Sequence, residues 1–280
     1  MRWPPFRHIF FDCDSTLTTI EGIDVLAENA GKGWRIKVLT EAAMNGELEL
    51  EDVYRKRLQA IKPTREQIWA IRQQYKSHVV ADAALVIATL QALGHQVYII
   101  SGGLIEPVRE FGIFLGVPAK NIRAVGVFYN ELAGNWWQHN ENGDARYITY
   151  GEDALTISDG KAQIVRELLG SQRGRSLLIG DGSSDLHASA AVDLFVGFGG
   201  VVARERVRQE APAFIHSQSM APLLLLAAGP AAMQRAATPE HRAAFVKALH
   251  LYDTGAISFQ NEQLDKKFQQ ACEAVHPRPH

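Results

Sequence analysis

The sequence predicts an α/β fold built on a mainly parallel sheet. Short apolar runs alternate along the chain with helical patterns, and each run ends at a cluster of Gly, Asp or Ser. The apolar residues within a run are continuous, as in strands that are buried on both faces of a parallel sheet. The alternation of strand and helix favours right-handed crossover connections.

Six strands and four intervening helices are predicted from these patterns. The strands are residues 8–12, 96–101, 121–126, 176–180, 193–197 and 213–216. The helices are residues 82–93, 106–115, 161–169 and 204–210. Ligands of such sheets collect at the carboxyl ends of the strands, so the chemistry is expected at that edge.

Residues 22–80 interrupt the alternation, because four helical patterns follow one another with no strand between them. Pro63 and Thr64, placed ahead of a polar first turn, are typical of a helix start. We interpret this segment as a small helical module inserted between the first and second strands. Its predicted helices are residues 23–29, 34–45, 51–61 and 64–76.

Two other segments lie outside the alternating pattern. Residues 128–150 contain Asn142-Gly143 among aromatic residues, which favours a hairpin with a tight turn. Residues 228–280 predict a helical extension, with Thr238-Pro239-Glu240 capping one helix and a second pattern from 261 to 275. Such a tail can pack on the core or form a homodimer contact, and the sequence leaves both open.

Composition excludes several functional classes. With 29 Lys and Arg against 31 Asp and Glu, the formal net charge is -2, and no basic stripe indicates a nucleic-acid partner. No apolar run approaches the length that spans a bilayer, so no membrane partner is expected. Two cysteines are too few for a disulfide framework, which together with the absence of a signal-peptide pattern predicts a cytoplasmic protein.

The first strand ends in two carboxylates, Asp12 and Asp14, two residues apart. On an extended backbone such residues face the same side. Carboxylates this close raise each other's pKa unless a cation lies between them. Mg²⁺ fits this role, since it binds one or two carboxylates together with substrate phosphate oxygens.

Three further motifs follow later strands. Ser101-Gly102-Gly103 lets backbone amides approach an anion, and Lys161, in the first turn of a helix, can neutralise a phosphate. Asp181 and Asp185 offer two more oxygen ligands for Mg²⁺. A Walker loop is excluded because Lys161 lacks the spaced glycine, and a dinucleotide fingerprint is excluded because Asp185 replaces its last glycine.

These four motifs, in this order, resemble those of the haloacid dehalogenase superfamily. The segments FDCDSTLTTIEGIDVLA, VYIISGGL, SDGKAQIVREL, LLIGDGSSDL and VGFGGVVARERV are similar to its phosphoserine-hydrolysing branch over residues 8–227. The resemblance implies a Rossmann-like parallel-sheet core of the haloacid dehalogenase type with an inserted small helical cap. The implied core is residues 1–21 and 81–227, the cap 22–80 and the extension 228–280.

The resemblance implies Mg²⁺-dependent hydrolysis of L-phosphoserine to L-serine and phosphate. Asp12 is the implied nucleophile, which forms an aspartyl-phosphate, and Asp14 the implied general acid and base. Asp12, the backbone carbonyl of Asp14 and Asp181 are the implied metal ligands, and Asp185 is expected to orient Lys161 or a water molecule. The implied phosphoryl-binding residues are Ser101, Gly102, Gly103 and Lys161.

The cap is expected to read the amino-acid part of the substrate. By resemblance, Glu21 binds the ammonium group, Arg57 the carboxylate, and Met44 lines the pocket. The chain departs from the family pattern where Asn45 replaces Gly, Leu50 replaces Phe, and Ser184 replaces Asn or Thr beside the phosphate.

Other functions stay open on this sequence. The same chemistry would serve another small phosphomonoester, such as phosphothreonine, a phosphoglycerate or a sugar-phosphate derivative. An aspartyl-phosphate could also pass its phosphoryl group to homoserine. A non-catalytic binding module on this fold is the alternative from a different class.

Overall fold

The computed structural model describes residues 3–130, 146–151 and 154–276. Its strands are β1 His8–Phe11, β2 Gln96–Leu104, β3 Ile122–Val125, β4 Val127–Asn130, β5 Arg146–Tyr150, β6 Ser176–Gly180, β7 Leu194–Phe198, β8 Ala213–Ile215 and β9 Ile257–Phe259. Its α-helices are α1 Gly22–Asn29, α2 Gly33–Met44, α3 Leu50–Ile61, α4 Arg65–Ser77, α5 Ala83–Ala92, α6 Ile105–Phe114, α7 Gly160–Leu169, α8 Ser183–His187, α9 Glu205–Glu210, α10 Leu223–Ala227, α11 Pro239–Asp253 and α12 Glu262–Glu273.

Seven strands form the main sheet, in the order β3-β2-β1-β6-β7-β8-β9. All neighbouring strands are parallel except β8 and β9, so the predicted α/β class is confirmed. β1 lies between β2 and β6, and its residues are buried on both faces, which explains their continuous apolar character. The segments that follow β1 and β6 therefore meet at one edge of the sheet.

Strand β2 is longer than the sequence predicts. The predicted strand ends at Ser101, whereas β2 continues to Leu104 and passes directly into α6. Its register with β3 shifts between Ile100 and Leu104, the stretch that contains its two glycines. Gly102 and Gly103 therefore belong to the end of the strand, directly before α6.

Four helices, α1 to α4, lie within residues 22–80, as the sequence predicts, and α5 follows them before β2. Helix α4 begins at a capping box, in which the Thr64 hydroxyl accepts from the Gln67 amide and the Gln67 side chain accepts from the Thr64 amide. Ile68, Ile71 and Tyr75 occupy its buried face at helical spacing. This helix packs against α6 of the main domain.

The residues after 227 contain both predicted helices and one unpredicted strand. Thr238 and Asn261 cap α11 and α12 through their side-chain oxygens. Strand β9 pairs antiparallel with β8 and completes the edge of the sheet. The sequence does not predict β9, because three residues are too few to show a strand periodicity.

The N-terminal segment around Trp3 packs against the extension. Trp3 donates its indole N–H to the Leu226 carbonyl at 2.7 Å, and its ring meets Phe268 edge-on at 4.8 Å between centroids. Phe259 and Tyr252 complete the aromatic cluster around Phe268, which is fully buried. The extension is therefore part of the folded core.

Two smaller features complete the fold. Strands β4 and β5 form an antiparallel pair, as expected for a hairpin over 128–150, whereas Asn142-Gly143 lies outside the described residues. Among the helices of the described ranges, none combines the length and hydropathy needed to cross a bilayer.

Replacing Phe268 with alanine tests the contribution of the extension to stability. We expect the free energy of unfolding to fall by about 3–5 kcal/mol, because a fully buried ring is lost and a cavity remains. Urea denaturation measures the change. Val246→Ala, at an exposed position of α11, is the control and should change the value by less than about 0.5 kcal/mol. Equal effects of the two variants would show that the extension does not share the core.

Candidate active site

A buried lysine lies between two carboxylates at the edge of the sheet. The Nζ of Lys161 donates to Oδ1 of Asp12 and to Oδ1 of Asp185, both at 2.6 Å. Burial alone would lower the pKa of Lys161, but the two carboxylates outweigh this effect and raise it, so the ammonium is charged. The three side chains form a buried group in which one ammonium partly balances two carboxylates, with little access to water.

Glycines make this close approach possible. A Cβ at Gly180 would lie 2.2 Å from Cγ of Asp185, and a Cβ at Gly160 would lie 1.3 Å from the Ala154 carbonyl oxygen. Any side chain at position 160 would therefore displace the start of α7, which carries Lys161. Gly160 and Gly180, which precede Lys161 and Asp181, therefore allow close packing of the backbone against Ala154 and Asp185.

Three carboxylates form a candidate metal centre. Asp12, Asp181 and Asp185 each place one oxygen within 4.8 Å of the others, and all three are buried. Burial raises the pKa of both Asp181 and Asp185 to about 7, since their charged forms are poorly solvated. An all-oxygen, buried donor set of this kind suits Mg²⁺, whose charge would favour the ionised carboxylates. Asp185, expected outside the metal ligands, lies within this group as well as on Lys161.

The Asp14 carboxyl lies beside this group but has different partners. Its Oδ1 accepts from the Tyr75 hydroxyl at 2.5 Å and from the Gly22 amide at 2.9 Å, and its Oδ2 accepts from Ser101 at 3.4 Å. Burial raises the pKa of Asp14 to about 6, although the Tyr75 hydrogen bond opposes the increase. A carboxyl group that titrates near neutrality is suited to acid–base chemistry.

The end of β2 brings Ser101, Gly102 and Gly103 to the site. Ser101 Oγ accepts from the Gly103 amide at 2.9 Å, and the Gly102 carbonyl accepts from Tyr54 of α3 at 2.8 Å. A Cβ at Gly103 would lie 2.7 Å from Oδ2 of Asp14. The absence of a side chain there keeps Asp14 and the Ser101 hydroxyl on one surface.

The helical insertion contributes side chains to the lining of the site. Arg57 of α3 is buried, donates to Thr40 at 3.1 Å and stacks over the Tyr54 ring, while its Nε has no partner among the described residues. Glu21 accepts from Ser15 at 2.7 Å, and burial raises the pKa of Glu21 to about 8. One cavity is lined by Asp12, Asp14, Glu21, Met44, Arg57, Ser101, Gly102, Gly103, Lys161 and Ser184.

This cavity collects all the predicted site residues except Asp181 and Asp185, which lie behind it at the carboxylate group. Of the three departures, Ser184 lines the cavity, and Asn45 accepts from Arg204 at 3.4 Å. Leu50 begins α3, and its side chain lies outside the described residues. Cys13 is fully buried and burial raises the pKa of its thiol, which fits the expected structural role.

Sequence reasoning missed two residues of the site. The sequence predicts Arg204 only as the first residue of a helix. In the structure it directly precedes α9, is buried, and donates its Nε–H to Asp181 at 3.0 Å. Its guanidinium also lies 3.9 Å from Glu21. Tyr75 looked like one apolar position of a cap helix. A run of small and apolar residues before Arg204 could have indicated a buried position, whereas nothing local marks Tyr75.

A family comparison agrees with this geometry. The model of the haloacid dehalogenase-like hydrolases matches residues 9–190, a range that contains every predicted catalytic and metal-binding residue. The chain belongs to the haloacid dehalogenase-like hydrolase family. Membership in this family confirms the resemblance noted in the sequence and the expectation of an enzyme.

Curated relatives within this family are phosphoserine phosphatases. The protein of Drosophila melanogaster is 34% identical over 213 residues, which cover 74% of this chain and 73% of the relative. The human protein is 32% identical over 209 residues, which cover 74% and 88% of the two chains. A solved structure of a phospho-aspartyl intermediate analogue of phosphoserine phosphatase matches with a TM-score of 0.66 at 23% identity, covering 79% of this chain and 98% of that one, and it supports the fold.

Substituting Lys161 tests the charge compensation. In Lys161→Met, we expect the free energy of unfolding to fall by about 3–5 kcal/mol, because Asp12 and Asp185 lose their cation while remaining buried. The measurement is urea denaturation at neutral pH with chelator present. Lys247→Met is the matched control, since Lys247 is half-exposed on Asp82 and its pair contributes at most about 1 kcal/mol. A loss of that smaller size in Lys161→Met would contradict the prediction.

Proposed function

We propose that this chain is a Mg²⁺-dependent phosphomonoesterase that converts L-phosphoserine into L-serine and phosphate through an aspartyl-phosphate. The observation that carries the proposal is one cavity lined by two chemically distinct sets of side chains. Asp12, Asp14, Ser101 and Lys161 form one set, and Glu21 and Arg57 form the other. The first set suits a phosphoryl group and the second an amino acid.

Asp12 attacks phosphorus and forms the aspartyl-phosphate, which divides one difficult hydrolysis into two easier steps. Phosphoryl transfer passes through a loose transition state, so alignment and charge neutralisation account for most of the catalysis. Lys161, 2.6 Å from Asp12, supplies a positive charge beside the transferred group. The Ser101 hydroxyl and the Gly102 amide bind the remaining phosphoryl oxygens.

Asp14 moves the proton in both steps. In the first step its neutral carboxyl group protonates the leaving serine oxygen, and in the second its carboxylate takes a proton from the attacking water. The pKa of about 6 supports both states near neutral pH. The 3.4 Å contact between Ser101 Oγ and Asp14 Oδ2 supports a position of this carboxyl group next to the bound phosphoryl group.

Asp12, Asp181 and the backbone carbonyl of Asp14 would hold Mg²⁺. When bound, the ion neutralises charge on the phosphoryl oxygens and favours the ionised forms of the carboxylates around it. Asp185 keeps Lys161 in place through its 2.6 Å hydrogen bond, and its Oδ2 accepts from the Gly182 amide.

Two largely buried charged residues, Arg57 of the insertion and Glu21 directly before it, favour an amino-acid substrate. Arg57 presents a buried guanidinium whose Nε has no partner among the described residues, and a substrate carboxylate would satisfy it. Glu21, with a pKa raised to about 8, would gain its charge beside a substrate ammonium. Relatives named phosphoserine phosphatase in the same family support this assignment.

Asp12→Asn tests the proposed nucleophile. We expect phosphate release from L-phosphoserine to fall by at least about a thousandfold, since an amide neither attacks phosphorus nor forms the intermediate. The assay runs with Mg²⁺ and repeats with chelator, which should also abolish turnover of the unmodified protein. Asp265→Asn, an exposed carboxyl-to-amide change on α12, is the control. Full activity of Asp12→Asn would exclude the mechanism. Assays with phosphothreonine and phosphoglycerate as substrates, and with homoserine as phosphoryl acceptor, test the alternative functions.

Arg57→Ala tests the substrate assignment. We expect kcat/KM for L-phosphoserine to fall by about a hundredfold, because a hydrogen-bonded charge pair with the substrate carboxylate is lost. The value for para-nitrophenyl phosphate, which has no carboxylate, should stay within about threefold. Arg55→Ala, on the exposed face of the same helix, is the control. Equal losses on both substrates would favour a phosphomonoester without a carboxylate.

A further inference from the structure

The hydroxyl of Tyr75 touches the carboxyl group to which acid–base chemistry is assigned above. Tyr75 belongs to α4, and its Oη donates to Oδ1 of Asp14 at 2.5 Å. The side chain is 1% exposed, so solvent does not compete for the hydroxyl. A hydrogen bond from a buried hydroxyl to a carboxylate is among the stronger ones in proteins.

The two oxygens of Asp14 have different surroundings. Oδ1 accepts two hydrogen bonds, from Tyr75 and from the Gly22 amide. Oδ2 has one long contact within the described part of the chain, to Ser101 at 3.4 Å, and it faces the open side of Gly103. A neutral carboxyl group carries its proton on the oxygen that is not already accepting two donors. Oδ2 is therefore the oxygen that gives and takes the proton.

Ion pairs join helix α4 to α6 on both sides of Tyr75. Glu110 of α6 accepts from Arg72 at 2.8 Å and from Lys76 at 2.6 Å. The centroid of the Tyr75 ring also lies 5.4 Å from that of the Phe111 ring, which belongs to α6. Space around the hydroxyl is tight, because a Cβ at Gly22 would lie 2.3 Å from it. These contacts hold the hydroxyl in one position.

We infer that Tyr75 is a positioning residue that, with the Gly22 amide, fixes Oδ1 of Asp14 so that Oδ2 faces the leaving oxygen. The inference rests on the proposed function. In the first step, the Asp12–phosphorus bond forms, the bond from phosphorus to the substrate oxygen breaks, and that oxygen takes the proton from Oδ2. In the second step, Oδ2 takes a proton from water while the water oxygen bonds to phosphorus and the Asp12–phosphorus bond breaks.

The test compares Tyr75→Phe with the unmodified protein on three substrates. L-phosphoserine and glycerol phosphate both release an alcohol, which must be protonated as it leaves, whereas para-nitrophenyl phosphate releases a stable anion. We expect kcat/KM to fall about tenfold to a hundredfold on the two alkyl substrates and by less than about twofold on the aryl substrate. This ratio reports on the first chemical step, because kcat/KM includes nothing after the first irreversible step.

Tyr98→Phe is the matched control. Tyr98 is a buried tyrosine of β2 whose hydroxyl lies 3.3 Å from His8 Nδ1, away from the cavity. It should alter all three substrates equally and by less than about twofold. In Tyr75→Phe, an equal loss on all three substrates, or no loss on any, would overturn the inference; the aryl rate also shows that the variant is folded.

The outcomes separate this inference from the proposed function. Turnover of glycerol phosphate but not L-phosphoserine by the unmodified protein would overturn the proposed substrate, and the alkyl-to-aryl comparison would still decide the role of Tyr75. Absence of turnover on all three substrates would overturn both.

Discussion

The site depends on the contact of one buried ammonium group with two buried carboxylates. Lys161 lies 2.6 Å from both Asp12 and Asp185, in a place with little access to water. Removing one partner of such a group leaves an uncompensated buried charge, which costs several kcal/mol. The same contact places a positive charge beside the proposed nucleophile. In the proposed mechanism stability and catalysis therefore share one interaction, and we expect a change of Asp12 or Asp185 to affect both.

The parallel sheet makes this contact possible. β1 and β6 are neighbours, so Asp12 and Asp181, each one residue beyond its strand, emerge at the same edge. Lys161 arrives from the first turn of α7, where the helix dipole disfavours a cation, and the two carboxylates outweigh that cost. Gly180 leaves no side chain against Asp185, and Gly160 lets the start of α7 lie against the Ala154 backbone. The fold brings the charges together, and the glycines set how closely they approach.

The sequence predicted the part of the site that follows from strand ends. Asp12, Asp14 and Ser101 follow from local patterns, because the carboxyl edge of a parallel sheet is the same place for every strand. Lys161 instead follows from the predicted start of a helix, which the structure has as α7. Arg204 and Tyr75 could not be predicted in this way, since their partners Asp181 and Asp14 are distant in sequence and no local pattern encodes the pairing. Strand β9 could not be predicted for a similar reason, since its three residues form a strand only by pairing with β8.

The insertion contributes to the site through two separate surfaces. Helix α4 reaches Asp14 through Tyr75 and is tied to α6 by Glu110, so we assign this side to proton transfer in the proposed mechanism. Helix α3 carries Arg57 and begins at Leu50, one of the family departures, so we assign this side to recognition of the proposed substrate. Under this proposal different helices carry the two roles, so the residues that contact the substrate can change while Asp14 keeps its partners. A chain with an altered pocket would then retain the proposed phosphoryl chemistry.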